Sequence, residues 1–133
     1  MKQLPTIDHI GIAVEDLDDA KYLYESLLGF QYIGTFTVPN QRVKVGILQA
    51  ANIRIELLQA IDEDSVIHRF IQQKGPGIHH IALEVSDMQH TIKTLKEKNI
   101  ELLEPVHAKG VNHSQIVFIH PKSMSGVLLE LCQ

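Results

Sequence analysis

An α+β fold built from two tandem βαβββ modules is what this sequence of 133 residues predicts, and three observations carry the prediction. The stretch Ile7-Asp8-His9-Ile10-Gly11-Ile12-Ala13-Val14 is repeated as Ile78-His79-His80-Ile81-Ala82-Leu83-Glu84-Val85, which puts His9 and His80 71 positions apart. Later in each half comes an apolar strand with one carboxylate inside it. These strands are Ile53-Arg54-Ile55-Glu56-Leu57-Leu58-Gln59 and Val127-Leu128-Leu129-Glu130-Leu131-Cys132-Gln133, with Glu56 and Glu130 74 apart. The elements between these markers come in the same order in both halves, the signature of an internal duplication. The length fits a single domain over 1–133. Module one covers about 5–62, a linker with a short helix about 63–75, and module two about 76–133.

Residues 7–14 alternate as a strand does, with Ile10, Ile12 and Val14 on one face and His9, Gly11 and Ala13 on the other. A helix is expected over about 16–28, capped by Asp16, with Leu17, Ala20, Leu23, Tyr24 and Leu27 at helical spacing and Gly29 ending it. Strands come next near 30–37, 42–49 and 52–59, and the connecting helix spans 64–74 before the turn Lys74-Gly75-Pro76-Gly77. The second half gives a strand at 78–85 and a helix at about 87–98, opened by Ser86 and Gln89 as a capping box and striped by Met88, Ile92 and Leu95. Shorter strands near 100–104, 114–119 and 126–132 complete the repeat.

The alternation also aims the polar residues. Small Gly11 and Ala13 share the face of His9, and Ala82 shares that of His80, so each imidazole has room beside it, as a concave binding surface requires. Ile53, Ile55 and Leu57 face the helix while Glu56 points the other way; Val127, Leu129 and Leu131 do the same around Glu130. A lone strand histidine is ordinarily a hydrogen-bonded structural residue, and a lone glutamate ordinarily faces solvent. The repeat weighs against both readings, because each must then hold twice. His9, Glu56, His80 and Glu130 are the expected ligands of a divalent metal. His79, on the opposite face from His80, reads as structural or exposed, while His68, His90, His107 and His113 read as solvated. His120 before Pro121 reads as a turn residue.

Composition excludes several classes. An apolar content of 44% with 21% charged residues is that of a globular protein. The net charge of −4 gives no basic field for nucleic acid or anionic lipid. No apolar run approaches the roughly 18 residues of a membrane span. The opening Met1-Lys2-Gln3-Leu4-Pro5 leads straight into a strand without room for a signal peptide, so the expected location is the cytoplasm. Cys132, the only cysteine, sits beside the C-terminus and on this reading offers neither a disulfide nor a thiolate metal site.

The phrases His9-Ile-Gly-Ile-Ala-Val, Asn52-Ile-Arg-Ile-Glu-Leu-Leu58, Gly77-Ile-His-His-Ile-Ala-Leu-Glu-Val85 and Phe118-Ile-His-Pro-Lys-Ser-Met-Ser-Gly-Val-Leu-Leu-Glu-Leu131 resemble the vicinal oxygen chelate superfamily over nearly the whole chain. Within it the likeness is greatest to the methylmalonyl-CoA epimerase family. The resemblance implies that the modules form a curved, partly closed mixed sheet around a metal. It also implies that His9, Glu56, His80 and Glu130 are the ligands, which matches the set reached from the repeat. One departure stands out: the acid/base glutamate that epimerases carry in the loop after the second strand aligns with Asn40, and no acid lies between Gln31 and Ile55. The loop Lys109-Gly110-Val111-Asn112-His113 is altered as well.

Two imidazoles and two carboxylates suit Co²⁺, Mn²⁺, Zn²⁺ or Ni²⁺. A substrate chelating such an ion through its carbonyl oxygens would have its neighbouring C–H acidified. By family analogy Glu130 is the expected proton carrier, assisted by Glu56. The leading expectation is therefore a metal-dependent isomerase acting next to a carbonyl on a small molecule, an acyl thioester by resemblance. A glyoxalase-I-like lactoylglutathione lyase and a non-catalytic, resistance-type binding protein stay open. Arg42, Lys44, Arg54, Lys109 and Lys122 are the available basic groups, none assigned to an anion. A homodimer is expected, since βαβββ modules leave strand edges to cover and a small chain gains from further burial.

Overall fold

The computed structural model describes residues 4–133, apart from the side chains of Glu104 and His107, so the expected solvation of His107 lies outside the described residues. Two compact units divide the chain: one is His9–His79, and the other is His80–Gln133 together with the start of the first strand up to Asp8. Among the described residues no helix is long and apolar enough to cross a membrane.

The chain runs β1 (Thr6–Ala13), α1 (Leu17–Lys21), β2 (Gln31–Val38), β3 (Val43–Gln49), β4 (Arg54–Ala60) and α2 (Val66–Lys74). It continues with β5 (Gly77–Glu84), α3 (Met88–Glu97), β6 (Leu102–Gly110), β7 (His113–Ile119) and β8 (Leu129–Cys132). The βαβββ order therefore occurs twice. In the first set the strands lie in the order β2-β3-β4-β1, and in the second β6-β7-β8-β5. In both, the first and last strands of the module pair in parallel and the remaining neighbours are antiparallel. A parallel neighbour requires a long crossover, and the helix with its two intervening strands supplies it.

Each module packs its helix on one face of its strands. Leu17 and Ala20 of α1 lie against Ile55 and Leu57 of β4, Leu48 of β3 and the β1 residues Ile10 and Ile12, with Val14 just beyond that strand. Met88 and Ile92 of α3 lie against Val117 and Ile119 of β7 and Leu131 of β8, with Leu83 of β5 alongside. These are the faces expected from the alternation, except at Val127, which was expected to face the helix but precedes β8 (Leu129–Cys132) and is exposed. Side chains of this size contribute about 1.5–3 kcal/mol each when fully buried.

Three local expectations are corrected. The helix expected over 16–28 is regular only to Lys21; Tyr22–Leu27 form a π-helical stretch. The longer hydrogen bonds there include Leu28 N to Leu23 O at 3.2 Å. Each π turn takes in an extra residue, rotating the remainder of the helix by about 100°. Leu23 and Leu27 thus leave the apolar stripe and are exposed, whereas Tyr24 stays inward with its ring edge-on to Phe30. Gly29 closes this segment at φ +81°, as its position suggested. The second correction is the cap of α3, which is Asp87, its carboxylate accepting from His90 N, so Ser86 and Gln89 form no capping box. The third is β6, which runs to Gly110 rather than ending near 104, with register irregularities opposite β7.

A further matched pair escaped the sequence reading. Gln59 Oε1 accepts the backbone N–H of Leu17 at 2.7 Å, and Gln133 Oε1 accepts that of Met88 at 2.8 Å. Each glutamine lies three residues beyond its module's glutamate and satisfies a donor in the first turn of its module's helix, which has no intrahelical partner. The helix is thereby tied to the strand that carries the carboxylate. We expect Gln59→Ala to cost about 1–2 kcal/mol, read in urea unfolding as a lower midpoint at unchanged slope. An unchanged midpoint would show that the bond contributes nothing.

Candidate metal centre

Parallel pairing of each module's first strand with its last sets up each His–Glu pair. In the first unit β1 and β4 run in register with Gly11 opposite Glu56 and His9 opposite Arg54. In the second, β5 and β8 place Ala82 opposite Glu130. The carboxylate therefore stands beside the residue two positions after its histidine in both cases, on the same face of the strands. Gly11 and Ala82 are small, which lets the glutamate and histidine side chains approach over them. On the other side the antiparallel neighbour is large and apolar: Ile47 opposite Glu56, and Phe118 opposite Glu130.

The distances result from this registration. His9 Nδ1 lies 3.4 Å from Glu56 Oε2, and His80 Nε2 lies 3.8 Å from Glu130 Oε1. His9, Glu56, His80 and Glu130 are only 2%, 6%, 5% and 6% exposed. The structure thus brings together His9 with Glu56 in one unit and His80 with Glu130 in the other. The His80 ring stands edge-on to Phe118 with centroids 5.6 Å apart, and Ala82, Ile116 and Cys132 form a buried apolar floor with Phe118 and Ala108 packed against it. Low-polarity surroundings strengthen any charge interaction made there.

Donor chemistry decides whether these residues fit a metal. Burying a carboxylate costs several kcal/mol unless a positive charge compensates. Each unit repeats that arrangement with a neutral-capable imidazole, the commonest metal ligand, as the neighbour. Nitrogen and oxygen donors in these proportions suit a borderline divalent ion. The residues present therefore fit such an ion. Arg54 Nη2 lies 3.9 Å from Glu56 Oε2, so among the five basic groups Arg54 is engaged beside the first pair.

The other histidines sort differently. His79 packs edge-on against Phe70 of α2, with centroids 5.0 Å apart. Burial, with a smaller effect of Lys74, pushes its imidazolium down to about 4, so it is neutral and structural. His90 is exposed and His68 half-buried. His120 shapes the turn before β8, its Nδ1 accepting from Lys122 N at 3.1 Å. His113 departs from the expectation of solvation: it is half-buried, with Nε2 3.1 Å from Asp8 Oδ2.

Asn40 lies exposed in a 3-10 turn, Pro39–Gln41, between β2 and β3. Arg42 closes that turn in the left-handed region at φ 55° and pairs with Asp62, whose carboxyl it holds below the usual range through its hydrogen bond. Lys122 is likewise held, 2.7 Å from Glu101. Arg42 and Lys122 thus have carboxylate partners of their own.

Comparison with known proteins identifies the family. Residues 8–118 match the model of the Glyoxalase/Bleomycin resistance protein/Dioxygenase superfamily. An uncharacterized Bacillus subtilis protein, YqjC, is 37% identical over 127 residues, covering 96% of this chain and 91% of that protein. The human mitochondrial methylmalonyl-CoA epimerase is 36% identical over 131 residues, covering 98% of this chain and 74% of the epimerase. A variant of the Streptomyces coelicolor methylmalonyl-CoA epimerase, solved in complex with 2-nitronate-propionyl-CoA, superposes with a TM-score of 0.88 at 31% identity, covering 98% of this chain and 97% of the other. The chain belongs to the glyoxalase/bleomycin resistance/dioxygenase, or vicinal oxygen chelate, superfamily, among relatives that are methylmalonyl-CoA epimerases.

Proposed function

We propose that this protein is a divalent-metal-dependent isomerase that moves a proton at the carbon next to a carbonyl of an acyl thioester, in the manner of a methylmalonyl-CoA epimerase. The observation that carries the reading is the duplicated buried pair, His9 with Glu56 and His80 with Glu130. The epimerase relatives, one of them solved with an acyl-CoA analogue, support the substrate class.

In this proposal all four side chains hold one ion of the Co²⁺, Mn²⁺, Zn²⁺ or Ni²⁺ class. Bound there, the ion would supply stabilisation of negative charge developing on the substrate's carbonyl oxygen. Glu130 removes the α-proton onto a carboxylate oxygen. It is suited to this by its apolar floor, which limits competing protonation by water. Inversion ordinarily calls for a base on each face of the carbon. The exposed turn at Asn40 offers no acid, so Glu56 is assigned the second proton role. As the larger assembly we propose a homodimer, supported by the exposed apolar side chains of Tyr22, Leu23, Leu27 and Leu28 in the first unit.

Two measurements test the reading. In heavy water with a chiral methylmalonyl thioester, the metal-loaded protein should introduce deuterium at the α-carbon, and Glu130→Gln should lower the rate at least about a hundredfold. Exchange no faster than in the Glu130→Gln control sinks the epimerase assignment, and turnover of a hemithioacetal in its place would move it to the lyase branch. Independently of turnover, Mn²⁺ at about a hundred times its dissociation constant should raise the melting temperature by roughly 10 °C. That gain should disappear in both His9→Ala and His80→Ala. A full gain in either variant removes that histidine from the ligand set.

A further inference from the structure

Apart from the two His–Glu pairs, the second unit carries a donor cluster of a different kind. Asp8 of β1, His113 at the start of β7 and Cys132 at the end of β8 each offer a ligand atom, and the three atoms lie within 4.8 Å of one another. His113 Nε2 is already 3.1 Å from Asp8 Oδ2, with the two side chains 11% and 13% exposed. Cys132 is fully buried, its thiol donating to Leu83 O at 3.5 Å. None of these residues belongs to the His9, Glu56, His80 and Glu130 set.

The backbone holds the cluster in place. Ile116 pairs with Cys132 across β7 and β8. Ser114 N donates to Gln133 O at 3.0 Å, and Gln133 N donates to Gln115 O at 3.0 Å. The start of β7 is thereby clamped beside the last residues of β8. An Asp–His hydrogen bond by itself is an ordinary structural feature, and a buried cysteine by itself is a small apolar side chain. The thiol within reach of both partners is what neither reading accounts for.

We propose that Asp8, His113 and Cys132 form a second, thiolate-containing metal site that takes an ion of the zinc class. Ligand atoms about 2.0–2.3 Å from a tetrahedral ion lie roughly 3.3–3.8 Å apart. The Asp8–His113 spacing is already close to that, and the thiol needs an inward shift of no more than about 1 Å. Sulfur with nitrogen and oxygen donors selects Zn²⁺ and its cobalt substitute over Mg²⁺, Ca²⁺ and Mn²⁺. On binding, the Cys132 S–H bond breaks, its proton leaves to water, and a sulfur–metal bond takes its place. Three protein ligands leave a fourth position for water, on the side where Asp8 and His113 keep some exposure. The sequence expectation that Cys132 offers no thiolate site is thereby revised.

Because Cys132 is the only cysteine, a thiolate-to-cobalt charge-transfer band reports on this site alone. Titrating the metal-free protein with Co²⁺ should produce that near-ultraviolet band, and Zn²⁺ should displace it. Cys132→Ser should abolish it, and Asp8→Asn and His113→Ala should each weaken the Co²⁺ affinity read from it by about tenfold or more. A His80→Ala/Glu130→Gln chain should keep it. Absence of the band in the wild-type chain at saturating Co²⁺ overturns the proposal. So does its loss in the His80→Ala/Glu130→Gln chain, which would assign the signal to the other site, or its survival at unchanged affinity in both Asp8→Asn and His113→Ala. Should Cys132→Ser fail to fold, the Asp8 and His113 variants decide.

Discussion

Everything chemical in this protein depends on the parallel pairing of each module's first strand with its last. Side chains opposite one another in a ladder share a face, so the register that sets Gly11 against Glu56 and Ala82 against Glu130 also sets each carboxylate beside a histidine two residues away. A slip of one residue would send Glu56 or Glu130 into the apolar core under the helix and turn a leucine into the site. The helix-facing residues Ile55, Leu57, Leu129 and Leu131 oppose such a slip. Hydrophobic burial on one face thus holds the ligands on the other.

The two modules agree at this level of detail and differ elsewhere. His9 and His80, and likewise Ile47 and Phe118, are 71 positions apart, whereas Glu56 and Glu130, and Gln59 and Gln133, are 74 apart. The net insertion therefore falls between β7 and β8, where the second module has a 3-10 turn at Pro121–Ser123 and a glycine at φ +90°. Loops accept such additions at little cost because they disturb neither the ladder nor the buried face. The glutamines at the ends of β4 and β8 lie beyond the insertion in the same frame as the glutamates, so the tie between strand and helix survives it in both modules.

Charge placement explains why Arg42 and Lys122 do not belong to the site. Arg42 is committed to Asp62 and Lys122 to Glu101, both at exposed positions where such pairs anchor loops and contribute little to stability. Arg54 lies beside Glu56. Each His–Glu pair takes its character instead from burial: His9 and Glu56 sit with Gly11 and Ile47 in one unit, His80 and Glu130 with Ala82 and Phe118 in the other, where an ionic interaction is far stronger than in water.

Strand periodicity and internal repetition are local properties, readable without coordinates. The duplicated βαβββ order, the faces of the strands and the four polar residues at equivalent places were therefore all legible in the chain, and phrases spread along it pointed to the superfamily. Whatever depends on neighbours distant in sequence emerged only once the chain was folded. The π-helical stretch that turns Leu23 and Leu27 outward preserves an apparently helical spacing and so leaves no mark in the pattern. Gln59 and Gln133 were visible as repeated letters, but their bonds to Leu17 and Met88 span 42 and 45 residues. His113 meets Asp8 across 105 residues. No periodicity encodes such a meeting, since it arises when strands far apart in the chain come to lie within one compact unit.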